Sequence, residues 1–264
     1  MTPSWDAADY ASHSRGQFGW ALSVIDRLDL RGDETVLDLG CGDGKVSATI
    51  AERLPSGRVV GVDSSPAMID LARRTWAHRS PALTFFQCDA QALVVPGTFD
   101  LAFSNAAIHW MPDHHAVVTG LSRAIGPGGR MFLSMGGRGT ASPVREALAR
   151  LASAGPWATY LAGARSPHYF RGPEDFEPPL ARAGFRVTRI ELVAKPMRHA
   201  DRAALTGWLR TTWMTYTERC PEQQRGDFLA ALTDLVAPAC DLAEDGALMM
   251  PMVNLEIEAV KQMR

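Results

Sequence analysis

Only four cysteines occur in the 264 residues, Cys41, Cys88, Cys220 and Cys240, and no two stand as a C-x-x-C pair. That excludes a disulfide scaffold and a thiolate metal knot, and it sets a reducing cytoplasm as the expected compartment. Other absences narrow the field further. No apolar run approaches the length that crosses a bilayer, so no membrane association is expected. The opening residues, Met1-Thr2-Pro3-Ser4-Trp5-Asp6, have no basic stretch leading into an apolar one, and no secretory signal is expected. A net charge of −2 provides no field for gripping a phosphate backbone, which argues against a nucleic-acid partner. His109, His114 and His115 form no metal-ligand spacing with carboxylates, so no metal site is expected. There is no internal repeat, no low-complexity tract and no linker long enough to separate independent domains. What remains is a chain of ordinary globular composition, 46% hydrophobic and 21% charged, long enough to bury a full core.

The chain is organised around Thr35–Asp63. Thr35-Val36-Leu37-Asp38-Leu39 reads as a short buried strand, and Gly40-Cys41-Gly42-Asp43-Gly44 as a glycine turn. A helix through Val46, Ile50 and Leu54 follows, then a second strand, Val59-Val60-Gly61-Val62, ending in Asp63. Upstream, Phe18, Ala21, Leu22, Ile25 and Leu28 recur at helical spacing. Downstream, Ser64 or Ser65 caps a helix with Pro66 at its first position. Further strands are expected over Leu83–Gln87, Phe99–Asn105 and Arg130–Met135, with a helix through Val117 and Leu121 in which His114 and His115 start the first turn facing water. Strands alternating with helices predict right-handed crossovers and a parallel sheet. Beyond Gly136 the spacing predicts a helix over Val144–Leu151, a loop-rich stretch from Gly155 to Pro179, and a sixth strand at Gly184–Val193. Helices over Ala203–Met214 and Pro221–Val236 and a closing strand over Leu248–Val260 complete the reading.

A glycine turn at a helix N-terminus brings backbone N–H groups close to a ligand, and several cofactors use it. Three details select among them. Asp38 lies two residues before the first glycine, Lys45 stands where the dinucleotide fingerprint has its third glycine, and Asp89 ends the third strand. These residues resemble the class I S-adenosylmethionine-dependent methyltransferases. Val36–Gly44 looks like that family's first motif, Val62–Met68 its second, Phe99–Asn105 its fourth, and Gly126–Arg130 the turn before its fifth strand.

The resemblance implies an α/β fold: a Rossmann-like, doubly wound, mostly parallel seven-stranded sheet with an antiparallel last strand and a helical cap. It implies a single domain over 1–264, with a cofactor-binding core over about 30–136 and cap segments over about 138–180 and 200–247. It also implies that the cofactor is S-adenosyl-L-methionine. Asp63, with Ser64 beside it, would accept the ribose hydroxyls. Gly40 and Gly42 would face the methionine portion, with Asp38 holding its ammonium, and Cys41 would fill the turn by packing. Asp89 and Ala90 would meet the adenine edge and Met68 its face, while Asn105 and Ala106 would lie near the amine and the departing methyl.

Tyr10, Ser14 and Gln17, together with Ser104–His114, resemble the trans-aconitate 2-methyltransferase group, which esterifies carboxylic acids. Chemistry agrees with that reaction type. A carboxylate is already a nucleophile at neutral pH, so it needs alignment and exclusion of water but no strong base. His109 and Trp110 follow the strand that would contact the cofactor and are the candidates to line the methyl-transfer pocket around a small-molecule substrate, with His109 available as a base or as a structural hydrogen-bonder. Arg210, Trp213 and Tyr216 fall at helical spacing, and Arg138 follows the fifth strand; these four are the candidate substrate contacts, the arginines as carboxylate clamps. The alternatives are a C- or N-methyltransferase acting on a small natural product and, more distantly, a non-catalytic cofactor-binding module. A nicotinamide oxidoreductase is disfavoured by Lys45 and Asp38.

Overall fold

The computed structural model describes residues 15–263, and the side chains of 19–263. Helix α1 (Arg15–Ile25) leads into β1 (Thr35–Leu39), where Val36, Leu37 and Leu39 are fully buried. A five-residue strand with no exposed position can only lie inside a sheet covered on both faces. The order of the main sheet bears that out. β2 (Arg58–Asp63) and β4 (Phe99–Asn105) flank β1, with β3 (Leu83–Gln87) outside β2 and β5 (Ile125–Gly136) outside β4, all parallel. Helices α2 (Lys45–Ala51), α3 (Pro66–Ala72) and α4 (His114–Ala124) make the crossovers. Strand order reverses direction between β1 and β4, so a crevice opens at the carboxyl ends of those two strands.

The sheet ends in an antiparallel insertion. β10 (Val253–Lys261) lies between β5 and β6 (Phe185–Ala194), antiparallel to both, which makes seven strands in the order β3-β2-β1-β4-β5-β10-β6. Glu256 sits fully buried on this interior strand because it accepts from Arg27 and Arg189 and pairs with Lys195. A buried carboxylate needs such partners.

The closing strand expected over Leu248–Val260 is two strands. β9 (Leu248–Met250) pairs with β7 (Met197–His199) and β8 (Asp241–Leu242) in a separate three-stranded sheet, and β10 begins after Pro251 and Met252. Pro251 has no N–H to donate to a ladder, which is reason enough for the break. The cap thus combines helices with a small sheet. Its helices are α5 (Ser142–Ser153), α6 (Ala158–Leu161), α8 (Arg202–Thr212), α9 (Met214–Thr217) and α10 (Arg225–Val236), and they enclose an apolar core of their own built on Val144, Leu205, Leu209, Phe228 and Leu232.

The stretch expected to be loop-rich holds α6 and the start of α7 (Pro173–Arg182), whose Pro178 and Pro179 disguise it. Pro173 occupies the tolerated first position, and Phe176 and Leu180 bury an i,i+4 face in the core of the main sheet. No helix among the described residues is long and apolar enough to cross a membrane.

Candidate active site

At the end of β1 the glycine turn adopts a conformation that only glycine takes readily: Gly40, Gly42 and Gly44 all have positive φ, at 75°, 53° and 80°. Gly40 and Gly42 have different reasons. A Cβ on Gly40 would come within 2.2 Å of the Ala107 Cβ, so Gly40 lets the segment after β4 pack across the turn. A Cβ on Gly42 would meet nothing within 4 Å, so this side of the turn faces open space.

Asp63, Asp38 and Asp43 lie close enough together at this turn to repel one another. Asp63, half-buried at the end of β2, accepts from Gly42 N at 3.0 Å and Ser65 N at 2.9 Å, tying the turn to α3. Burial pushes the Asp63 pKa up against those backbone donors. Asp38, buried beneath the turn, accepts from Ser47 Oγ at 2.6 Å. Burial first, and then repulsion from Asp63 and Asp43, raises its pKa to about 7. Crowded carboxylates of this kind favour a cationic ligand. No cluster of histidine, cysteine and carboxylate groups suited to a metal ion occurs among the described residues.

The other candidates for the cofactor fall around the same crevice. Met68 is buried on α3, whose N-cap is Ser65. Ser64 is exposed, and its carbonyl accepts from Gln87 Nε2. Asp89 is exposed beyond β3 and caps a short 3-10 turn that starts at the buried Ala90, accepting from Gln91 N. Cys41 is buried in the turn, as packing requires. Tyr10 and Ser14 lie outside the described residues; Gln17 lies on α1, with its side chain outside them.

At the end of β4, Ala106 takes the left-handed conformation, φ 57°, and its N–H continues the ladder to Ser134 O. A non-glycine residue there is strained, and its effect is to turn the chain back over the sheet end into a 3-10 turn, Ile108–Trp110. His109 and Trp110 thereby line, with Ala106, a cleft of about 540 Å³, its mouth included, and Ala107, next after Ala106, is the residue that packs against Gly40. The opposite wall comes from the cap: Trp208, Thr212 and Trp213 from α8 and its C-terminus, Phe170 and His168 from the loop before α7, and Met252 from the link between β9 and β10. A second left-handed alanine, Ala141 with φ 48°, also lines it.

Gly136 N donates to His109 Nδ1 at 3.0 Å, so in the neutral ring the proton is on Nε2. Burial, with a smaller contribution from His114, lowers the His109 pKa to about 3. His168 stacks on Phe170 with ring centroids 5.0 Å apart and lies 4.7 Å from Trp213, and burial likewise depresses its pKa. Its loop is fixed over the 3-10 turn by Tyr169 N donating to His109 O at 2.7 Å. His114 does not face water as expected. It is buried, stacks on Phe176 and donates from Nε2 to Ile108 O at 3.1 Å, while His115 is exposed.

The four substrate candidates separate. Trp213 lines the cleft. Tyr216 packs beside it in the cap core, ring centroids 6.1 Å apart, and does not line the cleft. Arg138 is exposed and engaged by Glu174 and Asp175, and Arg210 lies on the exposed face of α8; neither reaches the cleft. The α8 residues that do face it, Trp208 and Thr212, are four apart on the other side of the helix. Trp208 and His168 were absent from the sequence candidates; the i,i+4 phase of Trp208 with Thr212 was the available signal for the first, and His168 had none.

Comparison with known proteins identifies a family. Residues 36–129 match the model of a family described as a methyltransferase domain. The trans-aconitate 2-methyltransferase of Azoarcus sp. (strain BH72) is 32% identical over 98% of this chain and 100% of its own length. That of Methylobacterium radiotolerans is 30% identical over 97% and 98%. Among solved structures, phosphoethanolamine N-methyltransferase 2 of Haemonchus contortus, in complex with S-adenosyl-L-methionine, superposes with a TM-score of 0.62 at 20% identity, covering 97% of this chain and 57% of that one. An S-adenosylmethionine-dependent methyltransferase of Geobacter sulfurreducens, bound to S-adenosyl-L-homocysteine, gives 0.56 at 18%, covering 92% and 90%. The chain belongs to the trans-aconitate 2-methyltransferase group of the S-adenosylmethionine-dependent methyltransferases.

Proposed function

We propose that this enzyme converts a carboxylic acid to its methyl ester. One observation carries the reading: the only titratable side chains lining the cleft among the described residues are two histidines, His109 and His168, both held neutral by burial. A ring whose pKa has fallen to about 3 is a poor base at neutral pH. An acceptor that must lose a proton finds no help here; a carboxylate arrives already ionised.

The residues of the turn fit S-adenosylmethionine. Its ammonium and sulfonium suit the crowded carboxylates of Asp38, Asp63 and Asp43, and the open side of Gly42 leaves room for it. Asp63 would hold the ribose with the oxygen lone pairs left over from Gly42 and Ser65, Asp38 the ammonium, Met68 and the Asp89–Ala90 turn the adenine, and Asn105 and Ala106 the methionine end. When bound, the cofactor supplies a methyl already activated on sulfur. The acceptor oxygen would take that methyl in line, and no side chain of this site would need to move a proton. His109 would donate from Nε2–H to the acceptor carboxylate and aim one oxygen, and the aromatic walls with Trp110 would exclude water. Core and cap act as one unit, since the cleft has walls from both. Four free thiols suit a reducing cytoplasm as the working compartment.

The test is transfer of labelled methyl to a panel of acids, phenols and amines. Carboxyl transfer gives a base-labile product and a kcat that stays level from about pH 6 to 9. Label that survives base, or a kcat that climbs with pH as a phenol or ammonium ionises, refutes it.

A further inference from the structure

β10 runs antiparallel to both its neighbours, so its first residues meet the carboxyl end of β5, where the cleft opens. Three successive strands deliver a residue to the cleft wall there: Ala106 just past β4, Gly136 at the end of β5 and Asn254 near the start of β10. Asn254 pairs directly with Gly136, whose N–H holds His109 Nδ1, and so it stands beside that ring. Side chains alternate along β10, and Leu255 and Ile257 enter the core of the main sheet. On the other face Glu256 has three cationic partners, Arg27, Arg189 and Lys195. Asn254 is 3% exposed and has far less: its Nδ2 donates to Ser134 Oγ at 3.2 Å, and the amide makes no other hydrogen bond among the described residues. A primary amide carries two N–H donors and an oxygen with two lone pairs, so one N–H and the oxygen are left over. A buried amide with unused capacity is costly in a strand that leucine would fill as well. What it borders is the cleft.

We propose that Asn254 is an acceptor-binding residue: its spare Nδ2–H donates to the oxygen of the acceptor carboxylate that does not take the methyl, alongside Nε2–H of His109. This rests on the carboxyl-methylation reading above. Neighbouring strands lie about 4.8 Å apart, which puts Asn254 about 10 Å from the end of β4, where the methyl would depart. The amide therefore approaches the carboxylate from the side away from that methyl. Two neutral donors on adjacent elements fix the plane of the carboxylate and leave its other oxygen to attack in line. Ser134 acts through Asn254 as a positioning residue. It is 1% exposed, one diagonal step across the β5–β10 pair, and its hydroxyl fixes which way the amide points.

The experiment uses the full chain with labelled S-adenosylmethionine and three acids, trans-aconitate, 3-phenylpropionate and octanoate; whichever gives most base-labile product is the probe for the variants. Asn254→Leu removes the amide and nearly keeps the volume. It should lower kcat/KM for that acid about tenfold or more, with S-adenosylhomocysteine affinity within about twofold by calorimetry and Tm unchanged or higher. An asparagine that served only the sheet would lose Tm and activity together. Asn254→Asp is isosteric and can still accept from the Ser134 hydroxyl. Its charge beside the acceptor carboxylate should raise KM about 30-fold or more at about pH 8, with a smaller fall in kcat. Ser134→Ala breaks the same buried bond and leaves the amide in place, so kcat/KM should fall only about threefold. Equal losses in Ser134→Ala and Asn254→Leu would make Asn254 a structural partner of Ser134 and overturn the proposal. So would a kcat/KM within about threefold of the unsubstituted enzyme in both Asn254 variants. No base-labile product from any of the three acids overturns the carboxyl reading itself, a result distinct from either of those.

Discussion

Asp38 shows how one residue can work against the fold and for the ligand. Its carboxyl is buried with a single hydrogen bond from Ser47, and its pKa stands near 7 instead of the ordinary 3.8. At neutral pH that carboxyl is thus only partly ionised, and binding a cation requires the ionised form. S-adenosylhomocysteine, which keeps the ammonium, should bind about tenfold more tightly at pH 8 than at pH 6, as the ionised fraction rises through that range. Asp38→Asn should flatten this profile and weaken binding at pH 8; an unaltered profile in the variant would assign the titration elsewhere. Asp38 was legible in the sequence because it sits at a fixed offset from a glycine turn, where backbone geometry dictates what a side chain can reach. Arg138 and Arg210 were misleading for the opposite reason. Nothing local says whether a long cationic side chain will find an acidic neighbour such as Glu174, far away in the chain, or point to solvent.

Among elements, the connection after β4 matters most to the cleft. The 3-10 turn bearing His109 runs directly into α4, whose N-cap Asp113 accepts from Ala116 N at 2.9 Å while its own N–H is held by Gln91 Oε1. Asp113→Ala should cost about 1 kcal/mol of stability, read as a fall in Tm of about 2–4 °C. Asp113→Ser should recover most of it; equal losses in both variants would mean that the cap bond is not the cause. Elements of the cofactor half could be read closely from the sequence because each is short, continuous in burial and punctuated by glycine or proline. The cap resisted reading. Pro178 and Pro179 sit inside a real helix, Pro251 divides what looks like one alternating strand, and Phe176 faces the main sheet from a stretch with no visible period. In each case long-range packing overrides the local signal.

Among the described residues, four histidines whose burial favours the neutral form make the molecule sensitive to acid. Burial lowers the pKa of His109 to about 3 and of His199 to about 4, and depresses those of His168 and His114. The unfolded chain binds protons at these rings from about pH 6.5 downward while the folded chain does not, so their stabilisation is complete above that pH and is lost as pH falls toward 4 and 3. Asp38 has the opposite sign, its folded pKa lying above the unfolded one, and it erodes stability as pH rises from about 4 to 7. The histidines outnumber it, and denaturant melts should show stability dropping steeply below pH 6. His199→Leu, at a ring that packs behind Trp208 and does not line the cleft, should reduce the slope between about pH 4 and 6.5 by about 1.4 kcal/mol per pH unit; an unchanged slope would remove that ring from the account.

The interior position of β10 has a consequence during synthesis. β5 and β6 leave the ribosome first, each with an open edge, and the strand that belongs between them follows only after everything from Lys195 to Met252 has emerged. Until then both edges can pair with each other or with another nascent chain. Expression should consequently be more sensitive to chaperone supply than the stability of the finished sheet suggests.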